Sequence, residues 1–454
     1  MSPRKLIVLT AVVAILFAFI VLYERKMPST EERQRKGELY WDLPEDRFTQ
    51  LTLTRDGEML EFQRNGAAPW RMVKPAPYPA DAFAVNGLAS ELADLKRAGS
   101  DSGEAKPEAF GLDKPVATAT MAWTEADDAQ TKKTRTLEFG SAVPGTDMTA
   151  ARVSGQTRVL FIPASVLTAV RRPADEYRSK ELFEGPAGDV SRLEISRGQG
   201  SLALARREGV WWISQPIADL ADAAAVDRLV NELTALRARD FIHSNEDLAA
   251  LSLNPPLYRV SLTGAKGVVT SVDFGATRSD GDTVYARREG QVLTLDRDIV
   301  DELSKEAEPF RSTTLVAFDR GEVAAVDARF GDEPFVLTQQ AGGWSAEGRP
   351  VIAAAADDVL RTLADIKSRA FVDEATAKAL EPATATIAIK NKTQKSPAWT
   401  VNFHPRATDA VVRVSGRPGG FVVPKDTVDG LLAAFRKAVK PPTPAPTKKP
   451  TKKP

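Results

Sequence analysis

A chain of 454 residues is long enough for about three domains at ~150 residues each. Its 61 basic and 61 acidic residues cancel, so no global field draws it to nucleic acid. The lack of cysteine excludes disulfides, thiolate metal sites, cysteine nucleophiles and lipoprotein attachment.

Arg4 and Lys5 precede an apolar run at residues 6–23, which is 18 residues. At ~1.5 Å per residue this is ~27 Å of helix, just enough for a ~30 Å hydrocarbon core. A signal peptide would have an apolar stretch of ~7–15 residues ending in small residues. This run ends in Phe19, Ile20, Val21, Leu22 and Tyr23, so residues 1–27 are predicted to be a retained transmembrane anchor. Arg25 and Lys26 balance Arg4 and Lys5 across it. The short N-terminal flank favours a cytoplasmic N-terminus, with the bulk of the chain extracytoplasmic or periplasmic at a bacterial inner membrane. Residues 28–43, with Glu31, Glu32, Arg33, Arg35 and Lys36, read as a polar linker.

The body of the chain then repeats one large unit. From Trp70 it passes through Pro75 and Asp81 into a helix with Val85, Leu88, Leu92 and Leu95 on one face. Asp81 stands where that helix should start, and Lys96 with Arg97 where it should end. Trp211, Pro216, Asp222, Leu229, Leu233 and Leu236 recur at a constant interval of 141 residues (211 − 70). A third copy starts at Trp344 and carries Val359, Leu363 and Ile366. It is three residues shorter between the Trp and the helix face. Around these landmarks, alternating residues predict strands at Phe48–Leu53, Leu60–Phe62, 117–123, 134–139, 150–153 and 158–162. Asn65-Gly66 is a turn signal, and closing helices are expected at 164–170, 298–303 and 426–435. Phe139-Gly140 recurs as Phe274-Gly275, and Tyr177-Arg178-Ser179 as Phe310-Arg311-Ser312. The expected fold is therefore α+β, with mainly antiparallel sheet and two helices in each tandem repeat, at 44–183, 184–315 and 316–439. Residues 440–454, KPPTPAPTKKPTKKP, are a low-complexity basic tail expected to be extended and disordered. Its lysines could touch anionic lipid or cell wall at ~1 kcal/mol each.

These landmarks resemble a bacterial family known as domain of unknown function 4340. The resemblance rests on Trp70/Pro75/Ala80-Asp81, on Trp211/Pro216/Ala221-Asp222 and on Arg152, Arg287 and Arg413, and it covers nearly all of residues 44–439. The third repeat departs from it, because Ile352 falls opposite Asp81. The resemblance implies a membrane-anchored extracytoplasmic protein, often encoded beside ABC transporters of the gliding-motility type, and no established activity.

Arg152, Arg287 and Arg413 each stand three residues before a glycine, at Gly155, Gly290 and Gly416. They could be three equivalent guanidinium sites for a carboxylate, a phosphate or a partner. The structural reading, favoured here, is an outward arginine on a strand, paired with a neighbouring carboxylate. Asp81 and Asp222 read as helix caps, and Trp70, Trp211 and Trp344 as packing residues. His243 and His404 are the two histidines and occupy non-equivalent positions, so neither a metal cluster nor a histidine-dependent triad is expected. Asp280-Gly281-Asp282 reads as a hairpin turn and not a calcium loop. No cofactor motif or catalytic constellation is evident. The sequence thus favours a non-catalytic adaptor or accessory subunit of an ABC-transporter or envelope complex. The alternative is a binding protein or hydrolase for cell-envelope polysaccharide.

Overall fold

A computed structural model describes residues 38–98, 106–125, 131–198, 200–243, 246–341, 343–346, 349–380, 382–393 and 398–439. The expected anchor at 6–23, most of the linker and the tail at 440–454 lie outside the described residues. Among the described residues, no helix is long and apolar enough to cross a membrane. The chain divides into two compact units. The first runs to Lys180 and includes Glu289–Gln291, and the second holds the remainder.

In the first unit, eight strands form one antiparallel sheet. They are β1 (Phe48–Arg55), β2 (Glu58–Gln63), β3 (Arg71–Lys74), β4 (Tyr78–Pro79), β5 (Ala117–Thr124), β6 (Lys132–Ala142), β7 (Met148–Val153) and β8 (Leu160–Pro163). Their order is β4-β3-β2-β1-β5-β6-β7-β8, so two meanders run outward from a central pair, β1 and β5. The turn from β1 to β2 is tight because Asp56 and Gly57 both take positive φ, the backbone that suits the twist of a two-residue hairpin. Asn65-Gly66, the turn expected from sequence, lies in the longer connection from β2 to β3.

Helix α1 (Ala82–Ala93) buries Val85, Leu88 and Leu92, and α2 (Ala164–Val170) buries Val166, Ala169 and Val170. Both join one core with Leu51, Leu53, Phe62 and Phe139 from a single face of the sheet. Fully burying each such side chain contributes about 2 kcal/mol. The other face carries threonines, with the Thr120 and Thr136 hydroxyls 2.9 Å apart across the strands. The register is therefore set by inward apolar residues, as strand alternation requires.

The entry to this unit differs from the expected linker. Leu39 and Leu43 are buried, and the Trp41 indole donates to the Leu92 carbonyl at 2.9 Å. The Tyr40 and Leu43 amides donate to the carbonyls of Leu95 and Ala93. The incoming segment thus takes the end of α1, and the helix stops at Ala93 instead of reaching Arg97. Leu95 is still buried in the same core, beyond the end of the helix.

The second unit contains two nine-stranded sheets that repeat the same strand order. Each adds a short edge strand beside the last, Phe241–Ile242 in one sheet and Ala370–Val372 in the other. Three equivalent sheets fit the three expected repeats. Their helices are α3 (Ala223–Ala235), α4 (Ile299–Ser304), α5 (Ala353–Ala364), α6 (Glu374–Lys378) and α7 (Asp426–Val439). The helix α6 is additional to the expected pair, and its start is capped by Asp373, which accepts from the Thr376 amide at 2.7 Å.

The repetition extends to single hydrogen bonds. The carbonyls of Trp70, Trp211 and Trp344 accept from Ala80, Ala221 and Val351 at 3.1, 3.0 and 3.0 Å. Asp81 and Asp222 donate their amides to Tyr177 and Phe310 at 2.9 and 2.8 Å, which ties each junction to a helix start. The Phe-Gly landmark also has a steric cause. A Cβ at Gly140 or Gly275 would stand 2.2 Å from the carbonyl of Phe110 or Leu251, so only glycine fits.

Candidate functional site

The repeated polar and aromatic landmarks come first, because they are the residues a shared function would use. Trp70, Trp211 and Trp344 are 2, 2 and 8% exposed. The indoles of Trp70 and Trp211 donate to Asn86 and Asp227 at 2.9 and 2.8 Å, which satisfies the one polar atom that burial would otherwise strand. Asp81 and Asp222 accept from the amides of Ala84 and Ala225, both at 2.9 Å, as helix N-caps. Ile352 occupies the same place at the start of α5 and makes no side-chain cap.

The three arginines singled out by sequence lie on equivalent strands. Arg152 donates to Glu138, its direct cross-strand neighbour, at 2.5 Å. Arg287 donates to its own neighbour Asp273 at 3.0 Å, and Arg259 donates to the same carboxylate at 2.6 Å. Asn402 replaces that carboxylate opposite Arg413, which instead lies 3.7 Å from Glu374. Burial pushes the Glu138 carboxyl up, but hydrogen bonds from Arg152 and Ser154 outweigh it and hold the group below the usual carboxylate range. The hydrogen bond to Asp273, with its charge, raises Arg259 further.

A second arginine set lies deeper, in the second unit. Asp219 is fully buried and accepts from Arg311 Nε at 2.6 Å and from Arg417 Nε at 2.5 Å. The rest of the Arg417 fork donates to backbone carbonyls of residues 312–315, including Ser312 at 2.8 Å and Leu315 at 3.0 Å. The Phe421 ring lies 4.2 Å from the Arg417 guanidinium, and Phe371 lies 4.1 Å from that of Arg311. Burial lowers Arg417, and the Asp219 carboxylate opposes that shift. Arg288 acts similarly on residues 181–184, donating to the Glu181 carbonyl at 2.5 Å and the Glu184 carboxylate at 2.6 Å. In each case an arginine near the last hairpin of a sheet grips the segment that leads into that sheet. Guanidinium groups stay charged at physiological pH, so these clusters orient and fasten chain segments and do not shuttle protons.

Trp212 completes this junction. Its ring stacks on Trp399 at 6.2 Å with 2° between planes, and it packs against the core of the third sheet. Sequence reading missed Asp219, Trp212 and Arg417. The available signal was a break in the repeat, since the positions 141 residues before Trp212 and Asp219 are Arg71 and Tyr78.

Asp280 accepts from the amides of Asp282 and Thr283, both at 3.0 Å, and from the Thr283 hydroxyl at 2.8 Å, which makes the Asp-Gly-Asp stretch a side-chain-stabilised turn. Among the described residues, no three His, Asp or Glu side chains converge as a metal site. In the first unit an open cleft of about 520 Å³ lies between α1 and α2, lined by Gly87, Ser90, Glu91, Asp94 and Lys96 and by residues near Ser165.

A family model described as Domain of unknown function (DUF4340) matches residues 70–256 and, overlapping, 211–385. The two matches begin on the equivalent tryptophans Trp70 and Trp211. A search of curated proteins returns no match. Among solved structures, the chain aligns with a DNA polymerase sliding clamp from Pseudomonas aeruginosa, solved with ligand. Identity is 8% over 86% of this chain and 95% of that one, and the TM-score of 0.14 carries no argument about fold or function.

Proposed function

Starting from a chain that belongs to the DUF4340 family, whose description assigns no activity, we propose a non-catalytic, membrane-anchored extracytoplasmic adaptor for an ABC-transporter or envelope complex. One observation carries this reading: the side chains that recur between repeats are spent inside the fold. The tryptophans are core, Asp81 and Asp222 cap helices, and Arg152 and Arg287 pair across strands. What the repeats preserve is thus a scaffold, and a scaffold repeated in tandem offers extended surface for partners. The apolar run at residues 6–23 supports an anchor, which would keep that surface beside membrane proteins. Association with a transporter rests on the family resemblance. Polysaccharide binding would need exposed aromatic platforms, and burial of the three repeated tryptophans weighs against their serving as such.

Affinity purification of the full chain from detergent-solubilised membranes tests this function. Stoichiometric co-purification of transporter subunits is expected, and deletion of the 440–454 tail should leave it intact. A lone monomer that cross-links to nothing in native membranes would sink the adaptor reading.

A further inference from the structure

In the first two sheets the chain returns, after the closing helix, to cover the start of the main helix. The Tyr177 carbonyl accepts from the Asp81 amide at 2.9 Å, and the Ser179 amide donates to the Pro79 carbonyl at 2.9 Å. Phe310 and Ser312 make the same two bonds to Asp222 and Leu220, at 2.8 and 2.9 Å. The middle residue, Arg178 or Arg311, lies opposite Ala80 or Ala221. Its own amide is not used for this contact and donates instead to Asp175 or Glu308.

The third sheet has the same edge without that cover. Arg349–Pro350 pairs as Tyr78–Pro79 and Asp219–Leu220 do, and Val351 bonds to Trp344 as Ala80 and Ala221 bond to their tryptophans. Yet among the described residues the Ile352 amide and the Pro350 carbonyl, which match those of Asp81 and Pro79, have no hydrogen-bond partner. Ile352 is also 53% exposed. Unpaired groups on a sheet edge are a template for another extended segment.

The chain itself leads to this edge. In the first sheet Arg171, just past α2, reaches Asp56 of the first hairpin at 3.3 Å, and Tyr177 follows six residues later (177 − 171). In the third sheet Arg436, near the end of α7, donates to Glu333 of the matching hairpin at 3.0 Å. The same count from Arg436 arrives at Pro442, where the sequence reads Pro442-Thr443-Pro444-Ala445-Pro446-Thr447. In extended backbone successive amides point to opposite sides. The three prolines would therefore share one side, and the amides of Thr443, Ala445 and Thr447 the other. Proline is tolerated in an edge strand when its side faces solvent, and it biases the residue before it toward extended backbone. This alternation suits a strand that pairs along one side only.

We infer that Thr443-Pro444-Ala445 latches onto the third sheet. The Thr443 carbonyl accepts from the Ile352 amide, and the Ala445 amide donates to the Pro350 carbonyl. Pro444 takes the middle place, opposite Val351, where no amide is required. The latch caps the last repeat, which has no following repeat to close it. It stands or falls independently of the adaptor reading.

The chain has no cysteine, so an introduced pair reports directly. Opposed residues of an antiparallel bridge have Cα atoms ~4.5–5.5 Å apart, within the range of a disulfide. In the full-length chain in native membranes, Val351→Cys with Pro444→Cys should form an intramolecular disulfide about tenfold faster than Val351→Cys with Pro450→Cys. Equal rates, or a link between two copies or to another polypeptide, overturn the inference. Hydrogen exchange of the peptide holding Ile352 gives a second reading. Deleting residues 440–454 should speed exchange at that amide about tenfold, as expected for loss of backbone pairing. Ala445→Pro, which removes one donor from the tail and leaves the folded repeats untouched, should speed it similarly, while Pro444→Ala should not. Exchange that ignores the deletion, or responds equally to both substitutions, refutes the latch.

Discussion

Asp219 is the residue with the most to lose. It is fully buried and accepts from both Arg311 and Arg417. Asp219→Ala would leave the buried Arg417 guanidinium and the partly buried one of Arg311 without their counter-charge, so a loss of ~3–5 kcal/mol is expected in urea unfolding of the intact chain. A change below ~1 kcal/mol would mean that the carbonyls around Arg417 suffice without Asp219. Tyr177 is the residue-scale case for pH. It is buried, and its hydroxyl donates to the Ala169 carbonyl. Burial pushes that hydroxyl from 10.0 up to about 12. The folded state therefore prefers the neutral phenol. Its contribution is whole below pH ~10 and is lost as pH rises from there toward about 12. Between those values Tyr177→Phe should lose less stability than the parent chain; parallel denaturation curves for the two proteins would contradict this. Arg152 and Arg287 show what the sequence allows at this scale. Their outward placement on strands was readable from local pattern, whereas Asp273 serving two arginines at once depends on sheet register.

At the scale of elements, the three helix starts form a natural experiment. Asp81, Asp222 and Ile352 have nearly the same backbone, with φ of −67°, −75° and −68° and ψ of 111°, 106° and 119°. Only the aspartates accept an amide from the first turn. Ile352→Asp should therefore stabilise the chain by ~1 kcal/mol, and Asp81→Ala should cost about the same, both read by thermal unfolding. Because Ile352 is 53% exposed, little buried surface is lost in the exchange, and a net destabilisation would refute the capping argument. The apolar stripes of α1 and α3 were legible because helical period and burial coincide. The end of α1 was not. The segment Leu39–Leu43 folds back onto its carbonyls, and that contact joins residues ~50 positions apart.

At the scale of the whole molecule, three sheets share one strand order, yet two of them lie in a single compact unit. Within that unit the Trp212–Trp399 stack and the Asp219 cluster join the second sheet to the third. A fragment of residues 181–439 should therefore unfold in one cooperative calorimetric transition. Trp212→Ala should lower its midpoint by several degrees, in keeping with the ~3–5 kcal/mol cost of deleting a well-packed tryptophan. Two separate transitions in the unaltered fragment would show that the junction does not couple the sheets.

By itself the sequence determined the repeat, its α+β class, its antiparallel strands and the apolar faces of its main helices. Those features are periodic and local, and three noisy copies of one pattern reinforce each other. The tertiary structure alone decided which polar groups are buried together, where α1 ends and which helix face stays open. Asp219, Arg311 and Arg417 are scattered over the span from 219 to 417 and meet only because the sheets are built. Phe83 is visible in any reading of the helix, but its 92% exposure is seen only in the folded chain. Burial is a property of neighbours brought from afar, and no local period encodes it.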